Sequence, residues 1–200
     1  MTLAVGATAM YNESTVDEYD ERDLASARTG DEAAYARLVR RHQPAVAALL
    51  WRFTRDPAEL DDLVQTVFVE AYFGLGRYRG AAPLAHWLAR IATRAGYRFW
   101  KKRSRREAPA SLDGIDPAAA TDDADPAAAG RLAHDLLSRL PAPERLVLTL
   151  MYLEECSVRQ IAERMGWTRP MVKMRAYRAR RRLKAIATSE RLLEKLGWTS

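Results

Sequence analysis

The chain has 200 residues, 48% apolar and 29% charged, with a net charge of +6, enough for one domain or two small ones with buried cores. No apolar run approaches the roughly 20 residues of a membrane span, and Met1 to Met10 lack the Lys or Arg of a secretory signal. A single cysteine, Cys156, excludes an internal disulfide and a Cys-rich zinc site, and the scattered His42, His86 and His134 share no ligand spacing. A cytoplasmic chain without membrane insertion, metal or cofactor is expected.

The charge is unevenly placed. Residues 1–30 carry a net −4, residues 31–106 a net +8, residues 107–130 a net −6 and residues 131–200 a net +8. Two basic blocks around an acidic strip point to a polyanionic partner, most simply nucleic acid, or else to two solvated Arg-rich surfaces.

Residues 1–22 are acidic and lack periodicity, and read as a mobile tail. Residues 23–106 read as a first helical domain. Asp31 can cap a helix carrying Tyr35, Leu38 and Val39, which Pro44 should kink or restart before Val46, Leu49, Leu50 and Phe53. Asp56-Pro57-Ala58-Glu59 sets out a cap residue, a first-turn proline and a capping-box Glu. Leu60, Leu63, Val64, Val67, Phe68, Ala71, Tyr72 and Leu75 follow in steps of three and one, a helical stripe. Gly74, Gly76 and Gly80 mark an exit loop. Pro83 can open a third helix with Leu84, Trp87, Leu88, Ile91, Ala92, Ala95 and Phe99 inward.

Residues 107–130, rich in Ala, Pro and Asp, read as a linker. Residues 131–187 read as a second helical domain, and residues 188–200 as an extension. Leu132, Leu136, Leu137 and Leu140 form one stripe, ended by Pro141. Pro143 opens another helix with Leu146, Val147, Leu150, Met151 and Leu153. Ser157-Val158-Arg159-Gln160 is a capping box, Gly166 ends its helix, and Thr168 can cap the last one. The fold class expected is all-α: two small helical domains joined by an acidic linker.

Three constellations suggest function. In the last helix Val172, Ala176, Ala179, Leu183 and Ile186 form an apolar seam, while Arg169, Lys173, Arg175, Arg178, Arg180, Arg181 and Arg182 occupy the remaining surface. With the short helix and glycine turn before it, this is the pattern of a helix-turn-helix, whose second helix enters the major groove. A basic helix in a plain bundle is the bland alternative. On the helix from Pro83, His86, Arg90, Arg94, Tyr97 and Lys101 recur every three or four residues; cations interleaved with rings suit single-stranded DNA. Trp87 belongs to the inward stripe, and Tyr97 and Trp100 suit either role. Asp61, Asp62 and Gln65 form a polar face with no visible partner for catalysis, so a protein-docking face or a dipole-complementing surface is expected there.

ELDDLVQTVFVEAYFGLGRYRG (59–80) with LAHWLARIATRAGYRFWKKR (84–103) resembles region 2 of bacterial RNA polymerase sigma factors. Residues 137–183, from LSRLPAPERLVL to MVKMRAYRARRRL, resemble region 4. The short linker is similar to the extracytoplasmic-function group. The resemblance implies a promoter-recognition subunit that is not an enzyme and needs no cofactor. It implies that Asp61, Asp62 and Gln65 dock on the largest subunit of core polymerase, and that region 4 rests on the polymerase flap. It implies that the loop Tyr78-Arg79-Gly80-Ala81-Ala82 and the surface of Arg90, Arg94 and Tyr97 melt and hold the −10 non-template strand. It implies that Arg169, Met171, Lys173, Met174, Arg175 and Arg178 read the −35 element, and that an anti-sigma factor covers one face. Glu155-Cys156 replaces a Gly-Leu usual in the family, and Arg94 a frequent Asn. The competing expectation is a stand-alone helix-turn-helix regulator that dimerises through its first domain. A catalytic helical protein using Asp61 and Asp62 is a third.

Overall fold

A computed structural model describes residues 13–106 and 126–189. Every regular element among them is helical: α1 (Glu13–Arg28), α2 (Glu32–Leu50), α3 (Pro57–Gly74), α4 (Leu84–Arg106), α5 (Pro126–Ser138), α6 (Ala142–Leu148), α7 (Val158–Met165) and α8 (Arg169–Ser189). A 3₁₀ turn, Leu75–Arg77, follows α3, and a π turn, Thr149–Leu153, follows α6. The chain divides into two compact units between Phe99 and Trp100, inside α4. The expected tail at 1–12, most of the linker (107–125) and the extension from 190 on lie outside the described residues.

Helix α1 corrects the reading of residues 13–22 as part of a tail. It begins at Glu13, and its inner face is built from carboxylates as well as apolar groups. Asp20 and Asp23 are buried beside Leu24 and Ala27. Arg41 Nη1 donates to Asp20 at 2.5 Å and Arg41 Nη2 to Asp23 at 2.8 Å; Arg37 Nε donates to Asp23 at 2.9 Å. His42 Nε2, fully buried, lies 2.8 Å from Asp20 Oδ2. Buried carboxylates persist only where such partners replace water.

The rest of the first unit follows its caps. Asp31 accepts from the Ala34 amide, and Asp56 from the Ala58 and Glu59 amides. Two expectations are met differently, since α2 does not restart at Pro44 and the box at Glu59 is not direct. Helix α2 runs unbroken through Pro44, whose ring is exposed. The box at Glu59 is closed indirectly: the Asp56 amide donates to Thr54 Oγ1, and that hydroxyl donates to Glu59 at 2.5 Å. The core takes Leu38 and Leu50 from α2, Phe53 from the turn after it, Val64, Val67 and Phe68 from α3, and Leu84, Leu88 and Ala92 from α4. Each large side chain so buried contributes about 1.5–3 kcal/mol relative to exposure. A Cβ at Gly96 would overlap the Phe53 ring, so α4 passes this buried ring only because residue 96 has no side chain. Tyr72, assigned to the inward stripe, is 43% exposed. At the end of α3 it instead sets its ring edge-on to Tyr35, 5.0 Å between centroids.

In the second unit α5 starts at Pro126, so residues 126–130 of the expected linker are helical. Leu140, Leu148 and Ala179 form a buried cluster against Leu137, Leu183 and Ile186. The helix expected from Pro143 begins at Ala142 and gives way to the π turn, where the wider spacing swings Leu153 out of its stripe to 39% exposure. The Cys156 amide donates to the Leu150 carbonyl at 2.8 Å, and burial pushes the Cys156 thiol pKa up, as expected of a small core group.

Candidate nucleic-acid interface

The turn that sets α8 is specified residue by residue. Ser157 and Gln160 form the reciprocal capping box of α7. Gly166 takes φ 68° at the end of α7, a left-handed conformation that suits glycine. The Trp167 amide donates to the Ala162 carbonyl, and Thr168 Oγ1 accepts from the Met171 amide to start α8. Ile161 of α7 and Val172, Ala176 and Ala179 of α8 are buried. This places the seam of α8 inward as expected and leaves Arg169, Met171, Lys173, Met174 and Arg178 exposed on one helix.

Arg175 differs from the rest of that set. Its guanidinium stacks 3.7 Å from the centroid of the Trp167 ring, and its Nη1 is buried with no hydrogen-bond partner among the described residues. Arg175 therefore clamps the turn of the helix-turn-helix. Exposed Tyr177 was missed by the sequence reading, which counted cations and passed over rings; Arg181 lies 5.9 Å from its centroid.

On α4, Arg90 and Arg94 are exposed and Tyr97 is half-buried. Burial lowers the Arg94 pKa, and Arg90 and Arg98 lower it further. Crowded cations one helical turn apart repel one another, and a polyanion relieves that repulsion. Arg98 also pairs with Glu70 of α3. Trp100, left open between core and platform, is buried.

The loop before α4 is more built than its glycines suggested. The Tyr78 hydroxyl donates to the Ala82 carbonyl at 2.5 Å, and its ring lies 5.1 Å from that of Trp87. Gly80 has φ 71°, and residues 79–82 are exposed. A Cβ at Gly74 would press on Trp87 at 3.0 Å. Asp61, Asp62 and Gln65 are exposed on α3. The same helix continues outward with Val69 and Phe73, 48% and 75% exposed, which the sequence reading did not single out.

Among the described residues no helix is long and apolar enough to cross a membrane. The architecture is that of a two-part helical protein whose second part holds a helix-turn-helix. Family profiles for sigma-70 region 2 and sigma-70 region 4 match residues 38–106 and 131–183. The chain is 30% identical over 175 residues to the RNA polymerase sigma-H factor of Pseudomonas aeruginosa, covering 82% of this chain and 91% of that one. It is 31% identical to the RNA polymerase sigma factor CarQ of Myxococcus xanthus (80% and 92% covered). It is 30% identical to the ECF RNA polymerase sigma factor SigM of Mycobacterium tuberculosis (82% of each chain). Among solved structures, CnrH in complex with the cytosolic domain of CnrY matches at a TM-score of 0.55 and 26% identity, covering 86% of this chain and 98% of that one. The fold of the sigma factor RpoE from Bartonella quintana, solved with the anti-sigma factor NepR, matches at a TM-score of 0.53 and 21% identity (77% and 96% covered). This chain belongs to the RNA polymerase sigma factors of the extracytoplasmic-function type.

Proposed function

We propose that this chain docks on core RNA polymerase and directs it to promoters by reading two DNA elements with its two helical units. The observation that carries this reading is the exposed outer side of α8, where Arg169, Met171, Lys173, Met174 and Arg178 surround a seam buried through Val172, Ala176 and Ala179. Such a helix fits a major groove, where Lys and Arg donate to guanine or to phosphates and Met side chains meet thymine methyls. In this reading α8 binds the −35 element as duplex. Arg175 supports it by holding Trp167 rather than by reading a base.

The row Arg90, Arg94 and Tyr97 on α4, with Arg79 in the preceding loop, holds the −10 non-template strand. Arginines track its phosphates and rings stack on unpaired bases. Asp61, Asp62 and Gln65, continued by Val69 and Phe73, form the polymerase-docking side of α3. An acidic start and an apolar end give that side both charge selectivity and buried area. An anti-sigma factor that covers a DNA-binding face regulates the protein. The cytoplasm is its place of work.

Reconstituted transcription tests the reading. Purified chain plus core polymerase should initiate from one class of promoter selected from a randomised pool, and neither component should do so alone. A specific duplex footprint by a dimer without polymerase, with no initiation in its presence, would establish the stand-alone regulator instead.

A further inference from the structure

We propose that α1 is a brace for the loop at residues 78–82 and that Arg28, its last residue, is the positioning residue; this rests on the assignment of that loop to the −10 strand. Helix α1 is tied to α2 at its middle by the buried carboxylates Asp20 and Asp23, which pair with Arg37, Arg41 and His42. Its end is therefore a firm mount. From there Arg28 Nε donates to the Leu75 carbonyl at 3.4 Å, and Arg28 Nη2 donates to the Tyr78 carbonyl. Its guanidinium also lies 5.8 Å from the centroid of the Tyr78 ring.

Leu75 opens the 3₁₀ turn and Tyr78 directly follows it. The Leu75 carbonyl already accepts from the Tyr78 amide, which closes the turn, and Arg28 adds a second, charged donor to it; carbonyls at such a helix end carry partial negative charge that a cation complements. The planar guanidinium carries donors on separate nitrogens and so spans the Leu75 and Tyr78 carbonyls in one fixed geometry, which a single ammonium nitrogen does not reproduce. Tyr78 is thus held through its carbonyl by Arg28, through its hydroxyl by Ala82 and through its ring by Trp87. The next residue is exposed Arg79, followed by the left-handed turn at Gly80. Arg28 therefore sets the point and direction from which Arg79 leaves the body of the protein. A loop ordered in advance loses little freedom when a strand binds, and its contacts discriminate between bases rather than merely attract phosphates.

The test uses full-length chain in complex with core polymerase and fluorescent single-stranded oligonucleotides. The best sequence is first selected from a randomised pool by the wild-type holoenzyme, and single-base variants of it follow. Arg28→Ala should lower the affinity ratio of best to substituted oligonucleotide by about tenfold. Core binding and binding to −35 duplex should stay as in wild type. Arg28→Lys, which keeps the charge but not the forked geometry, should restore part of the ratio. Arg28→Gln carries the same test should the alanine variant fail to fold. A uniform loss across all oligonucleotides with an unchanged ratio overturns the brace, because it makes Arg28 a phosphate contact. An unchanged ratio and affinity overturns it as well. A wild-type holoenzyme that shows no preference among the oligonucleotides overturns the −10 assignment itself, and the brace with it.

Discussion

At the scale of the residue, the backbone at Gly96 and at Glu155 sets local stability in opposite directions. Gly96 lies against the Phe53 ring so closely that a methyl group there has no room, and Phe53 is 2% exposed and enclosed by the first unit. Gly96→Ala gains helix propensity on α4 but must displace a buried ring. Overpacking of that kind costs about 1–3 kcal/mol and outweighs the roughly 1 kcal/mol of propensity. The variant should therefore unfold at lower urea concentration than wild type, and an equal or higher midpoint would show that Phe53 moves freely. The opposite sign is expected at Glu155, which sits at φ 50°. A side chain in the left-handed region costs about 1–2 kcal/mol, part of which glycine returns as unfolded-state entropy. Glu155→Gly should raise the unfolding free energy by up to about 1 kcal/mol, and the urea midpoint with it, without changing α7, whose cap is held by Ser157 and Gln160.

At the scale of the element, what could be read in advance depended on what each helix buries. The seam of α8 and the stripe of α3 are apolar at helical spacing, and both face inward as the pattern requires, apart from Tyr72. The caps at Asp31, Asp56, Ser157 and Gly166 are local chemistry and were legible for that reason. Helix α1 was not, because it docks through Asp20 and Asp23 onto cations of α2, and a search for apolar periodicity passes over carboxylates. The contacts of Arg28 and Arg175 escaped for a related reason: a cation's role is set by carbonyls and rings distant in sequence or across a turn. The α1–α2 pairing has a pH signature. Burial raises the Asp23 pKa, but the hydrogen bonds and charges of Arg37 and Arg41 outweigh it and hold the carboxyl below its ordinary 3.8. A group with a depressed folded pKa contributes stability that is fully present above the unfolded value and is lost as pH falls through the folded one. Asp23→Asn should therefore destabilise the protein near neutrality by about 1.5–3 kcal/mol, the range of hydrogen bonds to a charged group. The gap between variant and wild type should close as the pH drops below about 4 in urea titrations followed by circular dichroism. A gap that is constant with pH would mean that the pairing contributes through shape alone.

At the scale of the whole molecule, the proposed roles of α8 and α4 in reading DNA and of α3 in docking predict that variants of these surfaces fail in different ways. Two weak DNA contacts mounted on one scaffold make the second event intramolecular, so occupancy depends on both and on the scaffold. Asp61 and Asp62 are exposed on α3, and neither carboxylate forms an ion pair among the described residues, so reversing them should spare the fold. Asp61→Arg with Asp62→Arg should weaken capture of core polymerase and lower initiation by a similar factor on every promoter. Lys173→Ala should leave core capture intact and cost about 1–3 kcal/mol of promoter binding if Lys173 reads a base. That loss should be confined to promoters that keep the preferred −35 base. Core pull-down and open-complex assays on the same promoter series separate the two patterns. A promoter-selective loss from the α3 variant would shift that helix from docking to reading. A uniform loss from Lys173→Ala, with a shallower salt dependence, would make Lys173 a phosphate contact. In that case the sequence preference of α8 would fall to exposed Met171, Met174 and Arg178.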